Sequence, residues 1–575
     1  MTSGYDGPRP LSRTPEDPRA GLNVPHSRFM IEVLARMPPD DGVPDPFPLA
    51  LRPWAPVFAG ESTRRVGLLE LFLDAHRFDG LAVAIPPAAS GLMRMLCAMA
   101  ARITGLHEAT DSSDWLDRRY ALLEDSCGFE PDAVKRYFDT HAVGLRLFDP
   151  QRPFLQDPRL DQECSTSSGV NKLVLARPAG NNQVFFGHFT DADQVALAPG
   201  EAVLHLIAQL YYGPSGQCTP RTVDGQRYGN TMAGPLRRVL SCHPLGRSLF
   251  ETLVLGIPEP GTWPQAEGGM VDGCPWEREV PPDPLAPPES AAGLLSLLTE
   301  QYQHAVLLQP SEDGQGVVDA TITWGLRHNR PAHRDPYLIW DERKDGQIYP
   351  RDAAAERALW RDLDALVLLR RGDSGRRPLI FDGLGGDQLP PAVFRELRVV
   401  AYGFDQDGQT RDRTYFSATT PRLFALLNTS DSDTDTALAH GAKQAREAAE
   451  KAAWHLSTAL RSAWRTYTTP FTQEHPTQQV MTSAQPATGG GAKKTKSTGP
   501  WPDRALAAYW PAAEELFWNL MEGADFTAVV RLFGEIALHV YDDTTASVAA
   551  QPRGARARES ARGLVRTLLD HGRDR

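Results

Sequence analysis

The sequence lacks most of the features that mark a secreted, membrane-spanning or metal-holding protein. Its six cysteines stand alone at 97, 127, 164, 218, 242 and 274, and the nearest two are 24 residues apart. No C-x-x-C occurs, which excludes zinc-knuckle and dithiol redox arrangements. Free thiols in a reducing cytoplasm are the expectation. No stretch approaches the roughly 18 consecutive apolar residues of a membrane helix, and no membrane association is expected. The first 28 residues have no apolar core, so they do not read as a secretory signal. Positive charge is also short: 60 lysines and arginines face 72 acidic residues, for a net charge of −12. A protein that grips nucleic acid over a broad face needs a basic surface, so any such contact here must run through a few local loops. G-x-S-x-G, H-E-x-x-H, a Walker lysine loop and paired nuclease carboxylates are all missing. A protein without catalysis and without cofactor is the expectation.

What is present is ordinary in bulk and specific in places. Hydrophobic residues make up 41% and charged residues 23% of the chain, as in soluble globular proteins. A length of 575 residues exceeds one core and implies several domains. "PLALRPWAPVF" (48–58) reads as a short strand, and "VGLLELFLDAHRF" (66–78) as a helix. In "ASGLMRMLCAMAARITG" (89–105), Leu92, Met95, Leu96, Met99 and Ile103 recur at helical spacing, and Gly105 can cap the end. That methionine stripe and Cys97 belong to a core. A third helix starts near Pro131. "NKLVLARPAGNNQVFFGHF" (171–189) reads as two strands around a turn at 179–182.

"GEAVLHLIAQLYY" (200–212) puts Val203, Leu206, Ile207 and Leu210 on one helix face. Gly213 ends that helix and Pro214 prevents its resumption. The segment that follows, "YYGPSGQCTPR", is nearly bare of side chains where it leaves the helix. Read alone it is a helix cap. Read functionally it is backbone able to approach something closely.

Residues 257–290 are a proline-rich connector, and 303–418 are strand-rich: "HAVLLQ", "VVDATITWG", "YLIWD", "ALVLL", "LIFDG", "LRVVAYGFD" and "TYFSA", interrupted by one helix at 353–363. After 421 come four amphipathic helices, the second bent at Pro511, with the low-complexity tether 482–500 between the first two. The expected architecture is α+β. A disordered extension (1–46) precedes a large mixed domain with an irregular sheet (47–420), followed by a C-terminal four-helix bundle (421–575) with a flexible loop at 470–502.

Two loops carry an enzyme alternative. "LIFDGLGGDQ" (379–388) resembles a phosphate loop, but no lysine-serine pair follows and "LPP" prevents an immediate helix start. "RHNRPAHRDP" (327–336) has two histidines separated by Pro331, without a visible third ligand. A plain turn and a cationic loop are the better readings. A nucleotide- or metal-dependent enzyme using these loops is the rival.

Several stretches taken in order resemble one family, the CasA-type large subunit of the type I-E CRISPR Cascade complex. They are "LRPWAPVF", "LLELFLDAHRF", "FDPQRPFLQDP", "SGVNKLVLARPAG" and "YYGPSGQCTPR", then the strand-rich middle and the terminal bundle. The resemblance covers about 47–575. It implies a non-catalytic subunit that recognises the protospacer-adjacent motif in double-stranded DNA and promotes duplex opening and R-loop formation. It also implies recruitment of the helicase-nuclease in antiviral defence. Implied partners are the backbone, small and guide-end-capping Cascade subunits, CRISPR RNA, target DNA and that helicase-nuclease. By the same resemblance, Gly213, Ser215 and Gly216 match the glycine loop. Gln406, Asp407, Gly408 and Gln409 match the wedge turn, with Gln409 first. Lys172, Arg177, Asn181 and Asn182 match the loop that docks at the guide end. The family's lysine finger has no clear lysine in its aligned stretch, so Arg327 or Arg330 is expected to substitute. Arginine is a rigid fork rather than a point charge, which implies a different motif preference.

Overall fold

The computed structural model describes residues 46–109, 111–125, 127–177, 189–190, 195–264, 271–331, 333–343, 345–367, 377–407, 411–422, 437–468, 499–523 and 525–570. The N-terminal extension to 45 and residues 469–498 lie outside them.

The helix Pro86–Thr104 organises the N-terminal part. It is buried from Pro86 to Ala101, and Gly105 ends it at φ 73°, as its sequence predicts. Leu92, Met95, Leu96 and Met99 are each at most 1% exposed, worth about 1.5–3 kcal/mol apiece. Helices Pro199–Tyr212, Leu249–Leu255 and Leu294–Thr299 pack on it. The same core holds one arginine of this helix. Arg94 is 1% exposed and bidentate on Asp335, at 2.6 and 2.9 Å. That fork clamps the helix to the segment beginning at Asp335, a long-range partner that no local pattern encodes.

Strands form small separate sheets. The strand Ala55–Ala59 lies between Ser62–Val66 and Gly80–Leu81. Arg398–Asp407 lies between Arg411–Thr419 and the distant strand Ser241–Leu245 in a second three-stranded sheet. His304–Pro310 pairs with Val317–Trp324, and His304 stands opposite Trp324.

Several sequence expectations change here. "ALVLL" begins as the short helix Leu363–Val367, and "LIFDG" contains the 3-10 turn Leu379–Phe381. Short apolar runs do not distinguish a buried strand from a buried helix. The helix expected at 353–363 starts only at Leu359, as a 3-10 turn. Residues 170–173 form one helical turn, Val170–Leu173, instead of a strand. A further helix, Ser112–Asp125, which the sequence reading passed over, buries Trp115, Arg119 and Leu123.

The four C-terminal helices are Ala437–Thr468, Trp501–Gly523 with Pro511 inside it, Val529–Thr545 and Pro552–Asp570. Ala445, Ala449, Ala452, Ala459 and Ala463 are fully buried on the first, a small-residue seam that lets the others approach closely. The bundle is joined to the N-terminal part through Glu450. It accepts from Arg357 at 2.9 Å and from Arg361 at 2.8 and 3.0 Å, while Arg361 lies 3.6 Å above the Trp510 ring.

Candidate nucleic-acid interface

The helix Pro199–Tyr212 delivers the chain to Gly213, whose backbone is extended (φ −56°, ψ 146°). Gly213 therefore ends the helix without a left-handed cap. A side chain is excluded there for another reason. A Cβ would collide with the Gln209 carbonyl and lie 2.8 Å from the His304 ring. Gly216 is the opposite case: it is exposed, at φ 119°, with nothing within 4 Å of a built Cβ. Ser215 between them is half-buried.

Gly216 opens a hairpin. The strand Gly216–Val223 turns at Asp224 (φ 48°) and Gly225 (φ 76°) and returns as Gln226–Thr231. Residues 224–227 are exposed. Two successive positive φ values fit the primed turn that matches strand twist. From sequence this region reads as a loop. The "DG" pair flanked by β-formers was the available signal for a hairpin.

Arg221 anchors this hairpin near its turn, opposite Tyr228. It is fully buried and donates to Glu163 at 2.6 Å, Asp157 at 2.8 Å and the Trp324 carbonyl at 3.1 Å. Burial pushes the Asp157 carboxyl up, but the Arg159 hydrogen bonds and the Arg221 charge outweigh it and hold the group below its usual range. Arg327 lies on the flank of the same hairpin, 4.0 Å above the Tyr228 ring and 5.2 Å from that of Trp324. Its Nη1 donates to the Asn230 carbonyl at 3.1 Å, and Asn230 pairs with Gln217, the neighbour of Gly216. Arg330 goes elsewhere, into a separate cavity of about 110 Å³ with Arg278, Glu300 and Tyr302. Burial lowers its pKa, against the opposing effect of Glu300.

Lys172 and Arg177 come close to the glycine segment. They share a cleft of about 100 Å³ with Pro214, Gln217 and Cys218, and no acidic side chain is among its described lining residues. Burial lowers the Lys172 pKa. Gln209 donates to the Lys172 carbonyl at 2.7 Å. Arg177 donates to the Asn171 side chain at 3.3 Å and the Val195 carbonyl at 2.9 Å, and lies 4.2 Å above the Phe189 ring. Asn181 and Asn182 lie outside the described residues.

The expected wedge turn is the end of the hairpin formed by Arg398–Asp407 and Arg411–Thr419. Gln406 and Asp407 close its first strand, after a register shift between Asp405 and Gln406. Gly408 and Gln409 lie outside the described residues. Phe404, part-way along the first strand of this hairpin, meets the end of the helix that leads into the hairpin opened by Gly216. Arg237 donates to the Tyr212 carbonyl at 2.7 Å and lies 4.9 Å above the Phe404 ring, and the Tyr212 and Phe404 rings are 6.4 Å apart. A third exposed hairpin, Trp340–Glu342 with Ile348–Pro350, carries Arg343 stacked 5.1 Å from Tyr349. It was not singled out from sequence, although "DERKDGQ" combines basic residues with a turn glycine.

In the two loops behind the enzyme alternative, Gly383 and Leu384 are buried, whereas His328, Asn329 and Pro331 are exposed and His333 is half-buried. The Gly383 carbonyl accepts from Arg119, a fully buried residue. The His333 ring accepts from the Ala291 amide at 3.2 Å. Among the described residues, no three metal-ligating side chains cluster, and no helix is long and apolar enough to cross a membrane.

The profile of the family described as CRISPR-associated protein Cse1 matches residues 48–546. The chain belongs to the Cse1 family. A curated Cse1 relative, CRISPR-associated protein CasA/Cse1 of Thermus thermophilus, is 28% identical over 330 residues; the match covers 56% of this chain and 60% of the relative. The chain thus matches less than two thirds of that relative's length. A chain from a solved CRISPR RNA-guided surveillance complex is 38% identical, with a TM-score of 0.77, covering 90% of this chain and 99% of the other. Cse1 from Acidimicrobium ferrooxidans shares the fold at 22% identity, with a TM-score of 0.68 over 92% of this chain and 98% of its own. The Cse1 fold therefore extends through both the mixed N-terminal part and the bundle.

Proposed function

We propose that this Cse1 chain is the non-catalytic large subunit of a guide-RNA surveillance complex of the Cascade type. In that role it recognises a short motif beside the target in double-stranded DNA, helps open the duplex and stabilises the displaced strand. The observation that carries this reading is the meeting of two segments. The helix end that leads into Gly216 and the strand that closes with Gln406 and Asp407 come together at Tyr212, Arg237 and Phe404. The first brings bare backbone and Arg327, which suits the narrow, degenerate minor groove. The other brings polar residues at a strand end, suited to parting a base step at a cost of about a few kcal/mol. Guide pairing then carries the sequence information.

In this reading Ser215, Gly216 and Arg327 face the motif, the buried Gly213 sets the segment's exit from the helix, and Gln406, Asp407, Gly408 and Gln409 form the wedge. Arg330, set in its own cavity, has the less direct route to DNA. Lys172, Arg177, Asn181 and Asn182 dock the chain toward the guide RNA and neighbouring subunits, and the bundle packs on the small subunits. The opened complex then recruits the separate helicase-nuclease. A net charge of −12 fits a subunit whose cationic contacts are local.

The test is duplex binding by the reconstituted guide-RNA complex, with and without this chain, on matched targets carrying a randomised flanking motif. Motif-selective binding only with the chain present supports the reading. Equal selectivity without the chain removes it.

A further inference from the structure

The backbone that leaves the helix Pro199–Tyr212 is supported by a residue that none of the expected site sets contains. His304 begins the strand His304–Pro310 and is 2% exposed. Its Nε2 lies 3.1 Å from the Pro214 carbonyl oxygen. A carbonyl only accepts, so Nε2 must carry the hydrogen, which leaves Nδ1 bare. Nδ1 has no hydrogen-bond partner among the described residues. Burial, with the Arg237 and Lys172 charges adding to it, outweighs the Pro214 hydrogen bond and holds the ring neutral, at a pKa of about 4. With the Gln209 carbonyl, the ring excludes a side chain at position 213, since a Cβ there would lie 2.8 Å from Cε1 and Nε2. His304 thus touches the glycine segment in two ways: by volume at Gly213 and by one donated hydrogen bond at Pro214.

We infer that His304 is a positioning residue for DNA recognition, setting the path of Pro214–Ser215–Gly216 through its Nε2–H bond to the Pro214 carbonyl. This rests on the reading of the glycine segment as a DNA-facing element. Pro214 has no amide hydrogen of its own, so this carbonyl is the handle its peptide offers at that point. Gly216 follows two residues later at φ 119° with open space around it, so an error in direction at Pro214 is carried straight into the exposed backbone. The opposite residue in the strand pair, Trp324, stands under Arg327. One β-ladder rung therefore supports both the glycine segment and the hairpin flank.

The experiment uses the full guide-RNA complex with His304→Gln, His304→Phe, Gly213→Ala and Gly216→Trp chains. Two probes are used: guide-matched duplexes with a preferred or a scrambled flanking motif, and the same target with its guide-complementary region already unpaired. Glutamine places an amide donor at about the reach of Nε2, whereas phenylalanine fills the space without a donor. His304→Gln is expected to keep motif discrimination. His304→Phe is expected to lose roughly tenfold, the scale of one unmade buried hydrogen bond, while binding the pre-opened target as the parent does. Gly213→Ala, which drives a methyl group against the Gln209 carbonyl and the ring, is expected to show the same loss and serves if the phenylalanine chain does not assemble. Equal discrimination by the glutamine and phenylalanine chains overturns the inference. If both keep it while Gly216→Trp loses it, the positioning role fails and the DNA-facing segment stands. If Gly216→Trp also keeps it, the reading beneath the inference fails as well.

Discussion

His304 and Trp324 stand opposite each other at the end of one antiparallel strand pair, and each supports a different part of the same projection. His304 meets the Pro214 carbonyl, and the Trp324 ring is met by Arg221, 5.1 Å from its centroid, and by Arg327 at 5.2 Å. His304 supports the backbone that leads into the hairpin and Trp324 the part next to its turn, while residues 224–227 are exposed.

The Arg221 fork is the first target. Replacing it with methionine leaves Asp157 and Glu163 without their shared buried cation and is expected to cost about 3–5 kcal/mol. Arg221→Lys is expected to recover only part of that, because an ammonium cannot make the three directed bonds of the fork. Chemical unfolding of the three chains checks the order. A methionine chain as stable as the parent would contradict it.

The two glycines are expected to fail differently. Gly213→Ala is an overpacking change against the His304 ring and the Gln209 carbonyl, at about 1–3 kcal/mol. Gly216→Ala meets no neighbour but must hold a φ of 119°, a strained conformation costing about 1–3 kcal/mol. Hydrogen exchange separates them. The first is expected to loosen the end of the helix Pro199–Tyr212, the second only the opening of the hairpin.

Acid is expected to destabilise the fold through buried neutral histidines. Burial lowers His304 from 6.5 to about 4, and burial, with the Arg177 charge, does the same for His205. Below the unfolded pKa the unfolded chain binds protons that the folded chain refuses, so stability falls as pH drops below about 6.5 and levels off near 4. Each group can withdraw about 3 kcal/mol over that window. Thermal unfolding against pH should show the slope, and His304→Gln should reduce it. Unchanged slopes would count against the buried neutral ring.

Much of this arrangement was legible in the sequence, and what was not has physical causes. Amphipathic period alone located the helices Pro86–Thr104 and Pro199–Tyr212 and the four of the bundle. Long helices repeat their signal over many turns. "ALVLL" does not declare its state, because a buried helical turn and a buried strand share one apolar pattern. The roles of Gly213 and Gly216 could not be separated either. One is glycine because the Gln209 carbonyl and a ring about ninety positions later leave no room for a Cβ, the other because of its own φ. Arg94 and Arg221 are buried cations whose partners lie far away in sequence, so no local rule reveals them.

The joint between bundle and N-terminal part is expected to depend on Glu450. Glu450→Gln keeps the shape but removes the charge that Arg357 and Arg361 share, at about 1–3 kcal/mol. Faster hydrogen exchange at 359–367, with the bundle helices otherwise unchanged, is the expected outcome. Exchange identical to the parent's would show that Trp360 packing against Phe517, at 4.7 Å, suffices by itself.

The central claim is that exposed backbone at Gly216 meets the duplex beside the target. Its most direct measurement compares the guide-RNA complex carrying the parent chain with one carrying Gly216→Trp, on duplexes with a randomised flanking motif. The account predicts that the tryptophan chain assembles normally and loses motif-selective binding. Undiminished selectivity with the tryptophan in place would contradict it.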